Sequence, residues 1–266
     1  MRTRRELLTL LAGTALAGWS LPTRASSLRL LTRDPGAQEV LSAAASSSTF
    51  WEGAQVRNYK EKAYDEVRLK ALDTGYLAMV TGEGQRDFKH ETVVRTVFEN
   101  MSRLPQVEDG AKAVVRLGSG TDSRSGLSYA DSFYFLDFSF FYGTYGQRMY
   151  RLVDGDRTIL FFEHLNENVA GAAWPAYQAK MEQVVASVKR RSLLNSVIPV
   201  SEIYGMFTVE PGRLHTSRVT FTTRLRFGEG SGTIARLGSE MPMVIRSGLQ
   251  SGFESCVAIA RQLEPA

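Results

Sequence analysis

Residues 211–227, Pro-Gly-Arg-Leu-His-Thr-Ser-Arg-Val-Thr-Phe-Thr-Thr-Arg-Leu-Arg-Phe, carry the cleanest alternation in the chain. Pro211-Gly212 makes a turn, and from Leu214 onward apolar and polar residues alternate. Val219, Phe221, Leu225 and Phe227 point one way, with His215, Ser217 and Thr223 on the same side; Arg218, Thr220, Thr222, Arg224 and Arg226 point the other. A period of two predicts a strand with one face against a core. Gly228, Gly230 and Gly232 then mark a loop, and Met243 to Leu263 reads as a long helix with Ile245, Leu249, Phe253, Val257 and Ile259 on its buried side. A strand-rich half that ends in a long helix makes the chain α+β.

Strand patterns also dominate the stretch before it. Between Phe133 and Tyr142 one alternating set is Tyr134, Leu136, Phe138, Phe140 and Tyr142, and the other is Phe133, Phe135, Asp137, Ser139 and Phe141. Both sets are largely apolar, so both faces are expected to be covered. Asp154-Gly155 lies between two strand-like runs and gives the strongest hairpin signal. Pairing Val153 with Asp156 places Tyr150 opposite Ile159, Arg148 opposite Phe161, and Glu163 diagonal to Arg148 on one face. After Pro175, Ala176 to Leu194 has helical spacing, with Met181, Val184, Val185 and Val188 as its apolar stripe and Lys189-Arg190-Arg191 at its end.

In the first half, Asp34-Pro35 reads as an N-cap followed by proline at the first helical position, opening a short helix that runs into the Ala43-to-Ser48 tract, a linker. Val67, Leu69 and Ala71 alternate with Arg68 and Lys70, and Tyr76 to Val80 is a compact apolar run, so strands are expected from Trp51 on. Val93, Val94, Val97, Phe98, Met101 and Leu104 recur at spacings of three and four, an amphipathic helix that Pro105 closes.

The order of these elements resembles the helix-grip fold of the START-like superfamily. The Tyr76-to-Val80 strand, the helix ending in Leu104-Pro105, the Pro211-Gly212-Arg213 turn before a long strand, and the glycine-rich lead into the last helix carry the resemblance, over roughly residues 75 to 263. It implies a curved antiparallel sheet that grips a long C-terminal helix and encloses an apolar tunnel or cavity. Members of that superfamily use this space for lipids, sterols, polyketides and similar molecules, some as carriers and fewer as cyclases or dehydratases. Residues 51–266 form the START-like domain on this reading, with extra strands at its start and an inserted helix near 176–194; residues 26–50 are an N-terminal helix and linker.

With a cavity of that kind, the ligand-binding residues are expected among Tyr134, Phe138, Arg148, Tyr150, Phe161, Glu163, His215 and Phe221. Arg148 and Glu163 either orient a polar head group or form a salt bridge at the surface. His215 either meets a head group or stands half-exposed near its turn. Asp137, costly to bury alone, either faces the interior or sits at an exposed bend. The expected function is a carrier for a lipid or other hydrophobic small molecule. The alternatives are a cyclase or dehydratase using His215, Asp137 or Glu163 for an acid-base step, and a ligand-free structural component of the cell envelope with a filled core. No catalytic residue, metal or cofactor is expected. His90, His164 and His215 have no metal-ligand spacing, Gly228-Glu229-Gly230-Ser231-Gly232 is not a phosphate loop, and Gly118-Ser119-Gly120 is not a nucleophile elbow. His164, next to Asn166 and Asn168, reads as a loop residue.

The first 25 residues resemble a bacterial twin-arginine translocation signal, on Thr3-Arg4-Arg5-Glu6-Leu7-Leu8, an apolar run from Leu7 to Ala17, and small residues around Ala25 suited to a signal peptidase. The run is too short to span a bilayer. The resemblance implies export through the twin-arginine translocase and a periplasmic or secreted mature protein. This leader holds four arginines against one glutamate, a net of +3, so the whole-chain charge of +4 falls to +1 without it. A nearly neutral chain lacks the field that phosphate backbones reward, which argues against nucleic acid as a partner. Lys189-Arg190-Arg191 leaves room for transient contact with a membrane surface. Cys256 is the only cysteine, so no internal disulfide forms.

Overall fold

The computed structural model describes residues 32, 34–45, 48–60, 64–72, 75–83, 88–138, 141–190, 196–212, 216–227 and 242–264. His215 and the proposed leader lie outside the described residues. Four helices of two turns or more are described: α1 (Pro35–Ala45), α2 (His90–Glu99), α3 (Trp174–Ser187) and α4 (Pro242–Leu263). The strands are β1 (Gln55–Asn58), β2 (Glu66–Leu72), β3 (Gly75–Glu83), β4 (Ala111–Thr121), β5 (Ser128–Asp137), β6 (Tyr142–Asp154), β7 (Arg157–His164), β8 (Val197–Pro211) and β9 (Ser217–Phe227). They form one curved sheet in the order β1-β2-β3-β9-β8-β7-β6-β5-β4, antiparallel between neighbours. Among the described residues no helix is long and apolar enough to cross a membrane.

Helices cover this sheet on both sides, which explains the double-sided hydrophobicity of its strands. On the inner face, Leu160, Phe162, Ile203, Phe207, Val209 and Phe227 pack with Val94 and Val97 of α2. Toward the sheet's β2–β3 end, Val67, Leu69, Ala78 and Val80 pack with Leu249 and Phe253 of α4. At the other end, Ile259 of α4 meets Val114 and Tyr134. On the outer face, Ala37, Val40 and Leu41 of α1 cover Leu77, Met79, Tyr150, Leu152, Ile159, Phe161, Tyr204 and Met206. Met181, Val184 and Val185 of α3 lie against Phe133, Phe135 and Tyr142 farther along that face.

Capping and ring stacking fix several of these pieces. The Asp34 carboxylate accepts a hydrogen bond from Gly36 N at 2.8 Å, the N-cap expected before Pro35. Residues 48–51 then form a single 3-10 turn that brings Trp51 into the outer core. Phe207 and Phe221 are register partners on β8 and β9, and their rings stack 4.1 Å apart, nearly parallel. Glu108 accepts hydrogen bonds from Ser251 at 2.6 Å and Ser255 at 2.5 Å, pinning the middle of α4 beside the one-turn helix Leu104–Val107.

Several local expectations are corrected. The run Phe133–Tyr142 is not one strand: β5 ends at Asp137 and β6 begins at Tyr142, with Phe138 N bonded to Phe141 O at 2.9 Å across the bend. Asp137 stands at that bend, yet its side chain is 4 % exposed and lies 3.8 Å from Lys112. The 154–157 hairpin turns on Gly155-Asp156, because Gly155 takes a φ of +63° and Asp154 pairs with Arg157 in register and through a 2.7 Å salt bridge. Partners therefore slide by two: Tyr150 faces Phe161 and Arg148 faces Glu163. A slide of two preserves the face of every side chain. The helix expected to reach Leu104 breaks at Asn100, and Pro105 starts the new turn rather than ending the old one. Finally, α3 stops at Ser187 where Val188 turns extended, so Lys189 and Arg190 follow the helix rather than close it, and Arg191 lies outside the described residues.

A further device joins strands that are not sheet neighbours along most of their length. β7 ends at His164, and past its end Tyr142–Thr144 of β6 pair in parallel with Val197–Pro199 of β8. The segment containing α3 leaves and rejoins the sheet at that closure. Gly205 marks a tight approach in the core: a Cβ there would lie 2.1 Å from Phe162 Cζ, its register partner's ring. Gly205→Ala is expected to displace that ring and lower stability by about 1–3 kcal/mol, read as a lower urea midpoint with an unchanged m-value.

Candidate ligand-binding cleft

A part-open cleft lies on the inner face between α2, α4 and the sheet. Val93, Thr96 and Val97 come from α2, where the 3.6-residue period turns them to one side. Phe253, Cys256, Val257 and Ala260 come from α4; Gly82, Phe207, Ser217 and Val219 form the floor, and Phe88 stands at the edge. The cavity volume is about 50 Å³, and all the empty space including the open mouth amounts to about 540 Å³. Phe207, stacked on Phe221, limits the depth.

Polar groups on these walls are already engaged. Thr96 Oγ1 donates back to Thr92 O at 2.8 Å, and Ser217 Oγ donates to Phe88 O at 3.0 Å. Burial, with a smaller contribution from Glu108, pushes the Cys256 thiol up to about 12, so it is neutral at physiological pH. The walls therefore offer apolar surface rather than charge, and their chemistry suits a hydrophobic guest held by shape.

The sheet divides the residues expected to bind ligand. Tyr134, Phe138 and Phe221 belong to the inner face. Phe221 backs the cleft through Phe207; Phe138 packs on Phe141 and Phe227, and Tyr134 stacks on Tyr145 at 4.7 Å while its hydroxyl accepts from Gln147 Nε2 at 3.0 Å. Arg148, Tyr150, Phe161 and Glu163 come together on the outer face instead, beneath the N-terminal segment. His164 is the last residue of β7 rather than a loop residue, with its pKa lowered by burial and partly restored by Asp34. Among the described residues no group of three or more histidines, cysteines and carboxylates could hold a metal.

Arg148 and Glu163 are register partners, but each binds something else. Arg148 forms a bidentate pair with Asp131, at 2.7 Å and 2.6 Å, donates to Val169 O at 2.6 Å, and stacks 4.0 Å over Tyr129. Burial alone would lower its pKa, yet the hydrogen bonds and charge of Asp131 raise it. Glu163 accepts from Tyr150 Oη at 2.9 Å and from the Thr32 hydroxyl. Burial raises its pKa, and those bonds with the Arg148 charge offset the rise only in part. Asp131 was missed in the sequence because its place opposite Arg148 depends on the 138–141 bend. The α2 and α4 walls of the cleft were legible as helix stripes, but periodicity does not say which stripe faces empty space.

No family model matches the sequence, and no curated protein matches it either. Solved structures do match in shape. The crystal structure of human STARD10 has a TM-score of 0.57 at 11 % identity, covering 88 % of this chain and 87 % of its own. Human StAR-related lipid transfer protein 5 has a TM-score of 0.53 at 8 % identity, covering 90 % of this chain and 95 % of its own. With its nine-stranded curved sheet and long C-terminal helix, this chain has the START-like helix-grip α+β fold.

The outer-face carboxylate yields a pH signature. Because the folded pKa of Glu163 is raised above its ordinary 4.5, the native state binds the proton more tightly than the unfolded chain. Its contribution is favourable below pH 4.5 and is lost as the pH rises through the folded value. Glu163→Gln keeps an acceptor for Tyr150 without the buried charge. Urea titrations should find it more stable than wild type at pH 8, with the advantage shrinking as the pH falls to 4; an advantage independent of pH would refute this account.

Proposed function

We propose that the protein carries a lipid or other hydrophobic small molecule in the inner cleft, after export through the twin-arginine translocase to the periplasm or exterior. The observation that carries the reading is the part-open space under α4, whose wall hydroxyls are internally bonded and whose remaining surface is apolar. The START-like fold supports it, since one structural neighbour is named a lipid transfer protein. The leader's paired Arg4 and Arg5 support the route, and export of folded cargo suits a chain with a single cysteine. The low charge left without the leader supports a small molecule over nucleic acid as partner.

Binding would work by burial. At about 25 cal/mol per Å², covering roughly 300 Å² of apolar ligand surface corresponds to about 7 kcal/mol before the costs of association. The 50 Å³ cavity is smaller than such a guest, so loading requires α4 or the stacked Phe207 and Phe221 rings to shift outward. Mass spectrometry of an organic extract from gently purified, exported protein is expected to find one hydrophobic molecule per chain. Empty protein that also takes up nothing from a broad apolar panel would sink the carrier reading and favour a ligand-free envelope component. Cys256→Phe, which fills the cleft from α4, should remove the co-purifying molecule and leave the circular dichroism spectrum unchanged.

A further inference from the structure

Among the described residues three arginines are buried, Arg148, Arg224 and Arg246, at 6 %, 7 % and 7 % exposure. Two of them have carboxylates. Arg148 holds Asp131, and Arg224 holds Glu39 and Glu202. Among the described residues Arg246 has no carboxylate partner: its one hydrogen bond is a long 3.5 Å contact to Gln55 Oε1, and its Nε has no partner. A buried guanidinium left this way is costly unless an anion completes it.

The position of Arg246 indicates where that anion would come from. Residues 246, 250, 253 and 257 follow the i, i+4, i+7, i+11 spacing of one helix face. Phe253 and Val257 of that stripe line the cleft. Gln250, one turn from Arg246, has a buried Nε2 that also lacks a partner. The stripe thus passes from apolar walls to two unmatched donors over about 10 Å of helix at 1.5 Å per residue. Leu249 and Phe253 pack there on Val67 and Leu69 of β2, and the contact to Gln55 sets the guanidinium toward β1.

We infer that Arg246 and Gln250 form a head-group subsite for an amphipathic ligand with an anionic head, a carboxylate or a phosphate, whose apolar part lies along Phe253 and Val257. This rests on the carrier reading and narrows it to acidic lipids. Arg246 supplies the charge and a planar fork of donors, and the Gln250 amide adds a further N–H. Loading satisfies both buried donors and places the chain against surface that offers no competing polar contact.

The test compares a long-chain fluorescent fatty acid with its methyl ester, identical except for the charge, in direct binding titrations. Wild type is expected to bind the acid at least about tenfold more tightly than the ester. Arg246→Met should abolish that preference while keeping ester affinity, Arg246→Lys should retain part of it, and Gln250→Leu should weaken the acid alone. Competition by a lysophosphatidate stronger than by an unlabelled fatty acid of equal chain length assigns a phosphate head; the reverse assigns a carboxylate. Equal binding of acid and ester by wild type, equal losses for both in Arg246→Met, or competition by neither lipid overturns the subsite and leaves the carrier reading standing. Failure of both probes to bind refutes the carrier reading and the subsite together. Should Arg246→Met not fold, the acid-to-ester ratio in wild type and Gln250→Leu decides the same question.

Discussion

The constraint on which this structure depends is that its central strands have no free face. Leu160 and Phe161 are neighbours in β7, point to opposite sides, and are both wholly buried. A strand of this kind needs a helical layer above and another below, and the chain supplies them from widely separated parts: α2 and α4 inside, α1 and α3 outside. Apolar burial holds both layers, and the two cores share only the sheet backbone between them.

The two faces have different polar chemistry. Outside, Asp131, Arg148, Tyr150, Glu163 and Thr32 satisfy one another, so charge is enclosed but matched. Inside, the cleft walls are apolar and their hydroxyls are tied back to the backbone. Matching removes the polar groups of the outer face from chemistry, since a bidentate pair as tight as Arg148 with Asp131 leaves little of the guanidinium for a guest. On α4, by contrast, two buried donors, Arg246 Nε and Gln250 Nε2, have no partner among the described residues.

Much of the fold was legible because period carries face. The alternation of β9 placed Val219, Phe221, Leu225 and Phe227 on one side, where the inner core holds them, and the final helix was legible to within a residue of its start. Asp34 announced α1 by its capping chemistry. What escaped was distance in space rather than local conformation. The hairpin register slid because Gly155 needs positive φ at the first turn position, and the slide moved Glu163 to face Arg148 directly without changing its side. Which side of the sheet faced the cleft could not be read, because β5, β6 and β7 are apolar on both sides; hence Arg148, Tyr150, Phe161 and Glu163 were grouped with Tyr134, Phe138 and Phe221 although the sheet separates them.

The pairing of β3 with β9 joins segments more than half the chain apart, Val80 beside Phe221. Until β9 has left the ribosome, the β1–β3 meander lacks the strand that joins it to the rest of the sheet. Such non-local closure carries a large loop entropy and slows folding relative to sheets built from consecutive hairpins. The order of synthesis and the order of assembly are therefore uncoupled in this chain: β1–β3 must wait, with Val80 uncovered, for β9, and the sheet closes only after β9 has been synthesised.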